Sequence, residues 1–334
     1  MTVAFAKRAG RRPGRQQGFS LIELMIALVL GLLVVGAAIG IFLSNRQTYQ
    51  ATEGVGRAQE GVRTAFEMIS RDVREAAGNP CVNNIPIANV VTGATGNWWS
   101  NLGNWGDAFR GYAATEAATG LTTGAGSAQR VANTEAVQLF AADDDVATIS
   151  AHDTASYKFT VNTSDHGIVA GDLAMACNAR QASVFQVSSV SGADVFHGTS
   201  GTPGNCTTGL GIPMTCGAGT TFAYTAPNSV LVKLHATRWY IGNGANGPAL
   251  YQQVATANGT VTSQEVAAGV SNLSVLYLFA DQTAYQAPSA VTDWSTVTAA
   301  RITLTLTGTD KVGPSGEPIV RQLIHVVSLR NRNP

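Results

Sequence analysis

The amino-acid sequence predicts an α+β fold, with one very long N-terminal helix packed on antiparallel β-sheet. Three observations carry this expectation. Residues 24–43 are apolar and uncharged, the segment after Arg46 repeats apolar residues at helical spacing, and the chain beyond residue 134 alternates β-rich runs with Gly-rich turns. With 334 residues, 45% hydrophobic and only 13% charged, there is enough chain for a helical stem and a sizeable globular body. The 36 glycines suit a body with many turns and argue against a helical enzyme.

Taken in order, residues 1–18 hold Lys7, Arg8, Arg11, Arg12 and Arg15 and no acid. A basic cluster ahead of an apolar run stays on the cytoplasmic side of a bilayer, so this stretch reads as a short cytoplasmic leader. The formal net charge of zero hides the asymmetry. Without these five side chains, 16 basic residues face 21 acidic ones, and a body near −5 has no electrostatic case for wrapping nucleic acid.

Residues 24–43 give a helix of about 30 Å, enough to cross a hydrocarbon core. The competing reading is a cleaved secretory signal, for which Gly36-Ala37-Ala38 offers small residues. Glu23 argues against it, because a carboxylate at the head of an apolar helix costs several kcal/mol to bury, roughly, and demands a partner. Gly31, Gly36 and Gly40 admit three readings: close helix packing through Gly36-x-x-x-Gly40, a segment that bends or melts, or ordinary membrane-helix glycine.

From Arg46 the helix becomes amphipathic. Val55, Val62, Phe66, Ile69 and Val73 draw one stripe that should pack on a sheet. Arg57, Glu60, Arg63, Glu67, Arg71, Arg74 and Glu75 lie mostly off it, with Glu60/Arg63 and Glu67/Arg71 as the expected surface pairs. Gly78-Asn79-Pro80 should stop the helix, which then runs from about Ser20 to Ala77.

Residues 81–133 show little periodicity, and their aromatics Trp98, Trp99, Trp105, Phe109 and Tyr112 are expected to cover the core rather than to form a partner surface. Strands are expected at 135–141, 156–161 and 168–176, and at 182–190 after a turn that makes a hairpin. Further runs fall at 229–241, 250–254 and 270–280, and a closing hairpin at 298–307 and 319–329. Residues 198–219 read as a loop. The four cysteines lack CxxC spacing, so zinc is disfavoured, and export of the body favours disulfides over free buried thiols. Of three connectivities, the preferred one joins Cys206 to Cys216 across a short loop and Cys81 to Cys177 between the stem's end and the sheet.

A search for catalytic chemistry finds no GxSxG, HExxH or GxxxxGK[ST] motif. His152, His166, His197, His235 and His325 are scattered, none at metal-ligand spacing, and Asp143-Asp144-Asp145 lacks the Gly and Glu of a calcium loop, reading as a solvated turn between strands. No catalytic residue, metal ligand or cofactor is expected.

The segment Gly18-Phe19-Ser20-Leu21-Ile22-Glu23-Leu24 resembles the class III signal of type IV prepilins and type II secretion pseudopilins. The resemblance implies that a membrane prepilin peptidase cuts after Gly18 and methylates Phe19, and that Glu23 aids docking into a filament. Cleavage would place the Phe19 amine one helical turn from Glu23, or near Glu23 of a neighbouring subunit, neutralising both charges. Further on, Gly171-Asp172-Leu173 with Cys177 and Ala182-Ser183-Val184-Phe185-Gln186-Val187, and the ending Ser328-Leu329-Arg330-Asn331-Arg332, resemble minor pilins of the PilW type. That resemblance is continuous over residues 14–80 and comes in short stretches beyond.

It implies a pilin-like organisation: a leader at 1–18, a transmembrane and filament-core half-helix at 19–45, an amphipathic half at 46–80 and a β-rich head at 81–334. It also implies a minor pilin in type IV pilus assembly, near the tip or in initiation. Such a protein rests in the inner membrane before assembly and at the pilus surface afterwards. The partners it implies are the peptidase, other minor pilins, the major pilin and a PilY-type tip adhesin. A large type II secretion pseudopilin shares the stem and a comparable body. A membrane-tethered periplasmic hydrolase or binding protein is the alternative from another class, and it requires a convergent polar pocket.

Overall fold

The computed structural model describes residues 18, 20–81, 85–93, 97–100, 105–255, 259–308, 317–318 and 320–332. The basic leader, Phe19 and most of the 308–318 connection lie outside the described residues, as do the side chains of Val55, Arg57 and Trp105. The chain forms two compact units, 1–53 and 54–334.

One helix, α1 (Leu21–Glu75), extends over 55 residues without a proline. In the second unit Val62, Ala65, Phe66, Ile69, Val73 and Ala76 are buried in a core with Trp239, Ile241, Leu273, Val275, Ile302 and Leu304, as the stripe requires. The surface pairs differ from those expected. Arg63 meets Glu67 at 3.7 Å and Arg71 meets Glu75 at 2.9 Å, because each arginine reaches the carboxylate four residues ahead. Exposed as they are, such pairs contribute little. The stop also differs in detail. Ala77, not Gly78, takes the left-handed conformation (φ 59°), while Gly78 N donates to Glu75 O and Asn331 Nδ2 donates to the Glu75 and Ala76 carbonyls at 3.3 Å.

Fourteen strands are described. The larger sheet contains β1 (Ile87–Asn89), β2 (Phe109–Tyr112), β3 (Ala136–Asp153), β4 (Lys158–Val161), β5 (Leu173–Cys177) and β6 (Ala182–Gln186). It continues through β7 (Ser189–Ser191), β8 (Asp194–Phe196), β9 (Val230–Gly244), β10 (Gly247–Ala255) and β11 (Val261–Ala268). Its order is β1-β6-β5-β9-β3-β4-β8-β7, with β10 joining β9 to β11 and β2 pairing β3. The smaller sheet is β12 (Val270–Phe279), β13 (Val297–Thr307) and β14 (Val320–Ser328). Pairings between the described strands are antiparallel except β1 with β6, which is parallel, so the larger sheet is mixed rather than purely antiparallel.

Several boundaries depart from the expected ones for local reasons. The run at 168–176 enters its strand only at Leu173, because Gly171 (φ 91°) and a turn closed by Asp172 hold the chain away from the sheet. The run at 182–190 splits, with β6 ending at Gln186 and β7 turning to pair β8. Asp143-Asp144-Asp145 is not a turn between strands. It is a bulge inside the 18-residue β3, where the register against β9 shifts between Ala142 and Val146. Strand β11 escapes the pattern because five successive residues from Val261 are exposed, and pairing with β10 rather than burial defines it.

The described residues between 85 and 133 cover the body. Trp98, Trp99, Phe109 and Tyr112 are buried, and the buried Arg130 ties the segment down by donating to the carbonyls of Ala113 (2.9 Å), Glu116 (2.7 Å) and Thr134. Two disulfides are present, Cys81–Cys177 and Cys206–Cys216, spanning 96 and 10 residues. A further core gathers Phe159, Phe185, Val195 and Tyr224. Within it His152 Nε2 lies 3.1 Å from His197 Nε2, and His152 Nδ1 accepts from Tyr224 N. His152 therefore carries its proton on Nε2 and donates to His197, whose buried Nδ1 is left without a partner. Burial lowers the pKa of both, to about 4 for His152 and about 3 for His197, with the neighbouring His152 adding to the effect on His197.

Two outcomes are expected. Asp72 of α1 accepts from Trp239 Nε1 at 2.8 Å and from Gln252 Nε2 at 3.2 Å, so Asp72→Ala should destabilise the second unit by about 1–3 kcal/mol in denaturant unfolding, and Asp72→Asn by less. The histidine pair binds protons more weakly folded than unfolded. Stability should therefore fall as pH drops from about 6.5 toward 4, by up to about 1.4 kcal/mol per pH unit for each histidine. Urea unfolding of His197→Phe at several pH values should show a shallower slope, and an unchanged slope would contradict this role.

Candidate functional site

The sequence elements with functional meaning lie at the two ends of the chain. At the N-terminal end, Leu21–Arg46 is long and apolar enough to cross a membrane, and none of it is buried. Leu21 is 79% exposed and Phe42 65%. At about 1.5 Å per residue these 26 residues span close to 39 Å, more than a hydrocarbon core requires. A continuous apolar surface of this extent needs lipid or other apolar helices around it.

Glu23 stands exposed in the first turn of α1, where the helix dipole favours a carboxylate. Leu24 N donates to Ser20 O at 3.2 Å, closing that first turn. Gly18 precedes the helix in non-helical backbone, is exposed and has open space where a Cβ would stand. Phe19 lies outside the described residues, so the spacing from Glu23 to a Phe19 amine remains an expectation from helix geometry. Gly31, Gly36 and Gly40 likewise have open space beside them, so nothing in the single chain uses their small size. Thr48 and Thr52 donate to the carbonyls four residues back, at 3.0 and 2.8 Å, where the helix turns polar.

In the second unit the structure brings together residues that are scattered in sequence. His152 and His197 meet although 45 positions apart, and His235 Nδ1 lies 2.7 Å from Asp143 Oδ1 of the bulge. That bond, with Lys233 nearby, outweighs burial and holds the Asp143 carboxyl below its usual range. His166 is buried and bonds Gly192 O, while His325 packs against Phe66 with rings 5.7 Å apart. None of this was visible as spacing, because each pair is created by strand register. Among the described residues no group of three or more His, Cys, Asp or Glu gathers to hold a metal. Two polar cavities of about 470 and 530 Å³ open on this unit. The first lies among Arg71, Arg74, Asp143, Asp144 and Arg330, and the second beside Trp98, Arg110 and Gln138.

Residues 13–39 match the prokaryotic N-terminal methylation motif, and residues 238–322 match the family described as Type IV Pilus-assembly protein W. No curated protein and no solved structure matches the chain. The second match runs from within β9 to the first three residues of β14 and includes strands against which the buried stripe of α1 packs. The apolar helix is consistent with anchoring in a membrane, and the motif at its head with processing by a prepilin peptidase. An N-terminal methylation motif, a long helix and a match to the PilW family thus occur in one α+β chain, a combination consistent with a prepilin-type minor pilin.

Proposed function

We propose that the chain is a structural subunit that enters a type IV pilus through its helix, at or near the tip, and helps to initiate the filament. The observation that carries this reading is the fully exposed apolar segment Leu21–Arg46, headed by Glu23, in the same chain as a PilW-family domain. Residues 1–18 act as a cytoplasmic leader, and 19–45 span the inner membrane until assembly. Residues 46–80 join this segment to a head, 81–334, which is periplasmic before assembly and surface-exposed afterwards. A prepilin peptidase cuts between Gly18 and Phe19 and methylates Phe19.

The work done is physical. Apolar stems leave the bilayer and bury against one another, which replaces lipid contacts by helix packing. Glu23 would be costly in such a bundle as a lone charge, and the new Phe19 amine, of the same or a neighbouring subunit, neutralises it. Other minor pilins and the major pilin are the lateral partners, with a PilY-type adhesin above them. A type II secretion pseudopilin would use the same stem, and the match over residues 238–322 is what favours the pilus.

Mass spectrometry of the protein from its native membrane should give a mature N-terminus at methylated Phe19. An intact Met1, or a start near Ile39, would overturn the reading. Glu23→Ala is expected to leave processing intact and to lower incorporation into filaments about tenfold or more, scored by immunoblot of sheared pili. Unchanged incorporation would remove the docking role.

A further inference from the structure

The cavity of about 530 Å³ is bounded by Trp98, Asp107, Arg110 and Tyr112 on one side and by Gln138 of β3 on another. Behind this wall lies Arg238, fully buried. Its guanidinium donates to Gln138 Oε1 at 2.7 Å and Thr119 O at 2.9 Å and sits 4.2 Å from the Trp98 ring centroid. Burial lowers its pKa to about 10, so it stays cationic at neutral pH. No carboxylate among the described residues is paired with it. A buried charge without a counter-charge costs several kcal/mol, roughly, and an anion in the adjacent cavity would offset that cost.

Hydrogen bonding points the same way. Five buried side-chain N or O atoms among the described residues lack a partner, and three of them are here: Trp98 Nε1, Arg110 Nε and Arg238 Nε. All three are donors. Buried polar groups are normally satisfied, and here two residues that line the cavity, Trp98 and Arg110, with Arg238 behind them, each hold an N–H that has no acceptor among the described residues, which a ligand could supply. Gln138 Oε1 already accepts from Arg238 and from Tyr112 Oη (3.0 Å), which leaves the amide N–H₂ free to donate. Arg110 gives Nη2 to Glu116 at 3.1 Å and lies 5.0 Å from the Tyr112 ring centroid, a rigid setting for its remaining donors.

Asp107 is the acidic residue of the lining and accepts rather than donates. A bare anion would be repelled by it, whereas a ligand with hydroxyls beside its carboxylate meets both kinds of group. The volume is that of a small-molecule site.

We propose that this cavity binds an acidic monosaccharide unit, a uronic acid, with its carboxylate toward Arg110 and Trp98 and its hydroxyls toward Asp107. The proposal is independent of how the stem assembles.

The test is calorimetric titration of the full chain, in a sugar-free detergent, with galacturonate and glucuronate. Galactose, glucose and N-acetylglutamate amide are titrated in parallel. At least one uronate is expected to bind, and the other three probes to bind at least about tenfold more weakly. Arg110→Gln should weaken uronate binding about tenfold, the size of a lost charge-assisted hydrogen bond. Trp98→Phe keeps an aromatic ring beside Arg238 and removes the indole N–H together with part of the ring system, and should weaken binding several-fold. Thermal melts identify any variant that has lost its fold, in which case the other variant decides. Absence of uronate binding would overturn the proposal, as would binding unaltered in a folded variant. Neutral sugars binding as well as uronates would overturn the anionic class, and N-acetylglutamate amide binding as well would replace a sugar by an acidic peptide side chain.

Discussion

The body depends on one stripe of one helix. Val62, Ala65, Phe66, Ile69, Val73 and Ala76 enter a core to which β9, β12 and β13 all contribute, so the stripe buries strands of both sheets at once. Hydrophobic burial of that kind is non-directional and would allow the helix to slide. Asp72 fixes it. Its carboxylate accepts from the Trp239 indole and the Gln252 amide, on neighbouring strands of the larger sheet. Burial raises the Asp72 pKa, and the two donors oppose that shift by standing in for the water that burial removes.

Strand β9 is the second organising element. It pairs with β3, β5 and β10, and Trp239, Arg238 and Tyr240 are successive buried residues on it. Alternation sends Trp239 to the helix and Arg238 to the covering segment with Trp98 and Tyr112. One strand thereby carries both the contact that places the helix and the cation beside the larger cavity. The interior holds its arginines mainly by carbonyl and amide oxygens: Arg130 bonds main-chain carbonyls, and Arg238 bonds Thr119 O and two glutamines. Arg130 has Glu116 and Glu135 near its charge, whereas Arg238 has no carboxylate partner among the described residues and leaves its Nε unbonded, which sets it apart in a body that is acidic overall.

Much of the fold was legible in the chain because its signals are local. Helical periodicity located the stripe, and β-rich runs located β9, β12, β13 and β14 to within a few residues, whereas of β3 only the first part, up to Ala141, was legible. The hidden features are those that pairing creates. Strand β11 is exposed over most of its length and owes its conformation to β10. The acidic triplet resembles a turn in composition, yet strands continue on both sides of it, so it becomes a bulge. Among the candidate site residues, Gly18 and Glu23 were readable from their order alone, and both are exposed where the long helix begins.

By itself the sequence determined the stem: a basic N-terminal stretch, a methylation-type motif, an uninterrupted apolar run and an amphipathic continuation, all properties of residues next to one another. It also determined that no familiar catalytic motif is encoded. Only the tertiary structure decided which distant side chains meet. His152 and His197 share a bond because strand pairing closes 45 residues into contact, and Arg238 stacks on Trp98 because the covering turn that carries Trp98 packs over β9. Unpartnered donors and an unpaired buried charge are properties of packing, and no spacing along the chain encodes them.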